Sequence, residues 1–170
     1  VYLARELEQI GQEEYDAIVE GLLRLPEQIK QVLNELDNYQ KIASRYFNHN
    51  SVFYIGRNLD YALGLEGSLK LKEISYIHSE SYAAGELKHG TISLIEPGTL
   101  VVALATYAPL VEKSLSNIVE VKSRGAEVIA LTTDKTVNTI SSQTSEMFVI
   151  PEVQPILQPV LEIGRASCRE

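Results

Sequence analysis

Leu100-Val101-Val102-Ala103-Leu104-Ala105 is the stretch that most restricts the fold. Six apolar residues without alternation do not suit a strand with one wet face. They suit a strand covered on both sides, the situation of a central strand in a parallel sheet. Glu96-Pro97-Gly98 turns the chain into it. Apolar runs recur at Ser51 to Ile55, Glu127 to Leu131 and Met147 to Ile150, the last stopped by Pro151. Helical patterns separate them, over Tyr61 to Ile77, Leu110 to Arg124 with Gly125 as C-cap, and Val137 to Ile140. This alternation predicts an α/β fold: a three-layer αβα sandwich with a mainly parallel sheet.

The first third reads as helix. Ile10, Ile18, Val19, Leu22 and Leu23 recur at helical spacing, and so do Ile29, Val32, Leu33 and Leu36. Pro26 suits an early position of a second helix, where its missing N–H costs nothing. Asp37-Asn38 marks a break, and Tyr39 to Phe47 forms a third helix stopped by Asn48-His49-Asn50. Residues 1–50 are therefore an N-terminal helical segment, and residues 51–162 the sheet-bearing domain. Residues 163–170 continue no apolar pattern and read as an artificial or read-through tail. Cys168 falls in that tail and carries no functional weight.

At 170 residues the chain is long enough for one sizeable core. Its formal charge of -8 argues against a nucleic-acid surface, which needs clustered lysine and arginine. A single cysteine excludes an internal disulfide framework and a cysteine-rich zinc site. It is compatible with a reducing compartment, and a cytoplasmic protein is expected. No apolar run reaches the length of a membrane span, no signal peptide opens the chain, and no metal-ligand spacing is present. No Gly-x-Gly-x-x-Gly or Walker pattern points to a nucleotide cofactor, so no cofactor is expected.

Three regions can carry chemistry. Gly56-Arg57-Asn58, Thr106-Tyr107 and Thr132-Thr133-Asp134 follow strands, where open α/β sheets bind ligands, although hydroxyls there are more often helix caps. Glu66, Lys70 and Glu73, spaced i, i+4, i+7, share one helix face, with Leu63, Ile74 and Ile77 among apolar neighbours on the other. Glu73 can move a proton between adjacent carbons of an open-chain sugar, with Lys70 holding it ionised and polarising substrate oxygens. Spacing alone favours a plain ion pair contributing roughly 0.2–0.5 kcal/mol, with Glu66 supporting it. The third region, the loop Ser79 to Gly90, ends in His89, which suits acid–base work near neutral pH as well as it suits a helix C-terminus. His49 and His78 read as surface or packing residues.

The run Leu65-Glu66-Gly67-Ser68-Leu69-Lys70-Leu71-Lys72-Glu73-Ile74-Ser75-Tyr76-Ile77-His78, followed by Tyr82-Ala83-Ala84-Gly85-Glu86-Leu87-Lys88-His89-Gly90, closely resembles the isomerising glutamine–fructose-6-phosphate aminotransferase family, the glucosamine-6-phosphate synthases. Tyr54-Ile55-Gly56-Arg57, Ser116-Asn117-Ile118 and Arg124-Gly125 fit as well, so the resemblance extends to about Leu161. It implies the second of two sugar-isomerase (SIS) subdomains, acting on fructose 6-phosphate to give glucosamine 6-phosphate within a homodimer. It also implies that Glu73 shuttles the proton between C2 and C1 and that Lys70 assists proton movement between sugar oxygens. His89 then opens the sugar ring from the neighbouring subunit. Glu66, Gly56 and Arg57 are the candidates for substrate contact.

The departures are specific. The family's glutaminase domain and first SIS subdomain are absent. No lysine follows Lys135, so the tail that forms a Schiff base is absent too. Tyr107-Ala108-Pro109 stands where a Ser-x-Ser-Gly phosphate loop would be. The chain alone is therefore expected to lack turnover. Two other readings remain: a non-catalytic sugar-phosphate-binding SIS regulator, and a fructosamine-phosphate deglycase.

Overall fold

The computed structural model describes residues 1–34 and 36–166. Five strands, β1 (Ser51–Gly56), β2 (His78–Ala83), β3 (Leu100–Ala105), β4 (Glu127–Thr133) and β5 (Glu146–Ile150), form one sheet in the order β2-β1-β3-β4-β5. All four pairings are parallel, with Val52 opposite Leu100, Leu100 opposite Glu127 and Ile129 opposite Glu146. Seven α-helices accompany them: α1 (Tyr2–Glu6), α2 (Gln12–Leu33), α3 (Leu36–Tyr46), α4 (Leu59–Ser75), α5 (Val111–Ser123), α6 (Val137–Ile140) and α7 (Gln158–Ala166).

Alternate strand residues face two layers. Phe53, Ile55, Val101, Ala103 and Val128 pack with Ile118 and Val121 of α5 and Ile140 of α6. Leu104 and Leu131 pack on the other face with Leu25 and Val32 of α2, Leu63 of α4 and Leu161 of α7. Val52, Leu100 and Ile129 pack there with Ile42 and Tyr46 of α3. Each fully buried Val, Leu or Ile contributes roughly 1.5–3 kcal/mol. The three-layer αβα architecture is the expected one, and β3 is covered on both faces.

Several local expectations are corrected. Pro26 lies inside α2, which runs unbroken from Gln12 to Leu33. Pro26 and Leu22 are both exposed, so the Leu22 carbonyl that loses its partner can be solvated. The break between α2 and α3 comes at Asn34, before Asp37-Asn38. Ser79 to Gly90 is not a simple loop. It begins as edge strand β2 and continues as 3-10 turns over Ala84–His89 and Thr91–Leu94. β2, reading His-Ser-Glu-Ser-Tyr-Ala, carries no apolar run, and Ser79 is its one fully buried residue. Its buried Ser79 is satisfied by Ser68 of α4, hydroxyl to hydroxyl at 2.9 Å and hydroxyl to carbonyl at 2.8 Å. Ile74 is 49% exposed, so the apolar face of α4 does not extend to its last turn. That helix ends at Ser75, with Tyr76 left-handed at φ 59°.

Candidate functional site

The order β2-β1-β3-β4-β5 places the switch point between β1 and β3, where the chain leaves the sheet in opposite directions. Gly56, Arg57 and Asn58 follow β1 there, and Thr106 and Tyr107 follow β3. Gly56 is bare for an internal reason. A Cβ on it would lie 2.5 Å from the carbonyl carbon of Asp60 and 2.7 Å from its oxygen, because the first turn of α4 folds back over it. The space that a ligand would need at Gly56 is filled by the chain's own backbone.

Sequence reasoning passed over Asp60, which is 1% exposed. Its Oδ2 accepts from the Thr106 N–H at 3.1 Å and the Tyr107 N–H at 3.4 Å. Thr106 Oγ1 lies 2.5 Å from Asp60 Oδ1 and 2.7 Å from Glu162 Oε1. One hydroxyl proton cannot serve two carboxylates. Both contacts are satisfied when one carboxyl keeps its proton, and we assign it to Glu162, which then donates to Thr106 while Thr106 donates to Asp60. Burial and the neighbouring Asp60 push the Glu162 carboxyl up to about 8. Burial also raises Asp60, against the lowering effect of its hydrogen bonds. No motif announces this cluster; the available signal is an acidic residue in the first turn of a helix that follows a strand.

Lys70 binds Glu73 Oε2 at 2.8 Å and Glu66 Oε1 at 3.6 Å, so the three charges do share one face of α4. All three remain part-exposed, at 30% for Lys70, 39% for Glu66 and 44% for Glu73. The hydrogen bond to Glu73 raises the Lys70 ammonium above its ordinary value, so it stays charged. Helix α4 joins parallel strands, so it starts at the carboxyl rim and runs back to the amino rim. From Leu59 to Glu73 that is about 21 Å at 1.5 Å per residue. Lys70 and Glu73 therefore lie far from Gly56 and Arg57 and face outward. Glu66 also borders a cavity of about 290 Å³ between α3, α4 and the sheet, lined by Tyr39, Ile42, Tyr54, Val102 and Phe148 among others. Those walls offer a sugar few hydrogen-bond partners.

His89 ends the 3-10 turn at Ala84–His89. Ala84 and Leu87 anchor the turn in the core on the α5 side. His89 itself is 76% exposed, with Glu86 at 4.0 Å. Arg57 Nε and a terminal nitrogen both donate to Asn117 Oδ1 of α5, at 3.0 and 2.8 Å. The guanidinium also lies against Gly85, where a Cβ would stand 3.1 Å from it. His78 pairs with Glu80 at 3.5 Å, and His49 packs on Tyr46. Cys168 lies outside the described residues. Among the described residues no cluster of His, Cys, Asp and Glu has the arrangement of a metal site. No described helix is long and apolar enough to cross a membrane.

A five-stranded parallel sheet of this order, covered by helices on both faces, defines an open α/β domain with its switch point between β1 and β3. The chain belongs to the SIS domain family, whose sequence profile matches residues 45–168. It is similar to the glutamine–fructose-6-phosphate aminotransferase (isomerizing) of Caldanaerobacter subterraneus subsp. tengcongensis, at 50% identity over 146 residues, 86% of this chain and 24% of that protein. The protein of the same name from Clostridium acetobutylicum is 44% identical over 163 residues, 96% of this chain and 27% of that one. The structure of the C-terminal domain of glucosamine-fructose-6-phosphate aminotransferase from Francisella tularensis matches with a TM-score of 0.85 at 28% identity. That match covers 94% of this chain and 47% of the other. The chain thus spans about a quarter of the length of the curated relatives it matches.

Proposed function

We propose that this chain is the second SIS subdomain of an isomerising glutamine–fructose-6-phosphate aminotransferase, working on a sugar phosphate within a larger cytoplasmic homodimer. Residues 51–162 form the body of the subdomain and residues 1–50 lead into it; the SIS profile and α7 both run on past residue 163, into the stretch that the sequence pattern alone reads as a tail. The glutaminase and first SIS subdomain come from the remainder of the longer protein. The steps given to this subdomain, ring opening and isomerisation, are proton transfers at sugar carbons and oxygens and call for no cofactor or metal.

The observation that carries this reading is the Lys70–Glu73 pair at 2.8 Å on an outward face, in a chain 50% identical to an enzyme named for this reaction. Glu73, paired with Lys70, takes the proton from C1 of the open-chain sugar and returns it at C2. Lys70 donates to the sugar oxygens as charge develops on them. His89 opens the ring by accepting the anomeric hydroxyl proton and delivering one to the ring oxygen. Glu66 holds Lys70 from the other side. The outward face of α4 needs an opposing surface to exclude water and seat the phosphate, and the missing subdomain supplies it.

In the longer enzyme, Glu73→Gln is expected to abolish solvent-deuterium exchange at C1 and C2 of the substrate. Retained exchange would remove Glu73 from the mechanism. Fructose 6-phosphate titrated into the isolated chain is expected to bind weakly or not at all.

A further inference from the structure

The backbone N–H groups of Thr106 and Tyr107 stand beside the β1/β3 switch point. Paired amides at that place in an open α/β sheet are ready-made donors for a phosphate. In this chain they point at a carboxylate of the chain itself, Asp60 Oδ2, at 3.1 and 3.4 Å. The Thr106 hydroxyl, a third donor to an anion, is held by the other oxygen of the same carboxylate at 2.5 Å. We propose that Asp60 is an internal anion that closes the switch-point crevice, and that it is the residue that stops this sheet from taking a phosphate monoester at its own rim.

Three observations carry this. Asp60 saturates both amides and the hydroxyl. The backbone of its helical turn fills the space at Gly56, with 2.5 Å to a Cβ position there, so the room beside the donors is the room the Asp60 side chain occupies. Asp60, Thr106 and Glu162 are all at most 5% exposed, so an incoming anion would have to displace a packed side chain of its own sign. Arg57, which follows β1 at this crevice, is turned toward Asn117 and Gly85 and does not offset that repulsion. The inference does not depend on the proton-transfer roles of Glu73 and His89. It concerns this crevice alone, whatever the reaction.

The test is a gain of binding with inorganic phosphate as the probe. Asp60→Ser removes the charge, leaves a small side chain and frees both amides. In this variant, phosphate is expected to move the Thr106 and Tyr107 amide resonances saturably and to raise Tm progressively with its concentration. The unaltered chain is expected to show neither response. The same saturable response in the unaltered chain would overturn the proposal, and so would a folded Asp60→Ser chain with no response. If that variant is unfolded in plain buffer, phosphate must restore its folding, and failure to do so also counts against the proposal.

Discussion

Glu73 and His89 lie on opposite faces of one sheet. Glu73 stands on α4, which packs over Leu104 and Leu131, whereas the turn bearing His89 is anchored through Leu87 beside Ile118 and Val121 on the far side. A single sugar cannot touch both in one chain. If both serve one reaction, each site takes Glu73 from one subunit and His89 from another. Mixed dimers test this. Glu73→Gln and His89→Ala subunits of the longer enzyme, each deficient alone, are expected to regain about a quarter of normal turnover in a statistical mixture, from one intact site in each heterodimer. No recovery in verified heterodimers would place the two residues in separate processes.

Asn58 gives a stability prediction. It adopts φ 55° and ψ -122°, outside the left-handed well that Asn tolerates and in territory open chiefly to glycine. Such strain costs about 1–3 kcal/mol. Asn58→Gly is expected to raise the urea midpoint by a net gain of about 1 kcal/mol, after the extra unfolded-state entropy of glycine is subtracted. Asn58→Ala is expected to lower it. Equal midpoints for the three chains would mean that the strain is relieved locally.

Legibility in the sequence followed local signal. The β3 run of apolar residues announced its own double coverage, and Glu66, Lys70 and Glu73 met on one helix face because i, i+3 and i+4 neighbours must. What escaped was whatever depended on partners distant in the chain. β2 is written in Ser, Glu and Tyr, so nothing in its pattern said strand; pairing with β1 and the Ser68–Ser79 contact made it one. Asp60 went unremarked because its partners, at the end of β3, lie 46 residues on. Gly56 carried a plausible ligand role that the fold assigns to its own helix turn. The resemblance implied that His89 serves a neighbouring subunit's site, and the physical basis, opposite faces of one sheet, came only with the crossover.

Arg57 clamps the turn that presents His89. Its two bonds to Asn117 and its contact with Gly85 join β1, α5 and the start of that turn. Hydrogen bonds from a charged donor are worth about 1.5–3 kcal/mol. Arg57→Gln and Asn117→Ala are therefore expected to speed amide exchange over residues 85–89 by on the order of tenfold or more, with β3 and β4 unchanged. Gly85→Ala, whose methyl would press on the guanidinium, is expected to act in the same direction. Uniform acceleration across the fold would mean that Arg57 supports overall stability and not this turn.

Glu162 makes folding sensitive to alkali. Its carboxyl is pushed up from 4.5 to about 8 by burial and by the Asp60 charge. The native state therefore holds a proton that the unfolded chain has already released between those values, and stability falls with pH wherever the native state binds more protons. The contribution of the neutral carboxyl is complete below pH 4.5 and is lost as pH rises through about 8. Glu162→Gln keeps the shape and a donor to Thr106 and removes the titration. Denaturant melts at stepped pH are expected to show a decline between those limits in the unaltered chain and a flatter profile in the variant. Parallel profiles would show that Glu162 stays ionised in the folded state, and that the shared proton with Thr106 has been assigned the wrong way round.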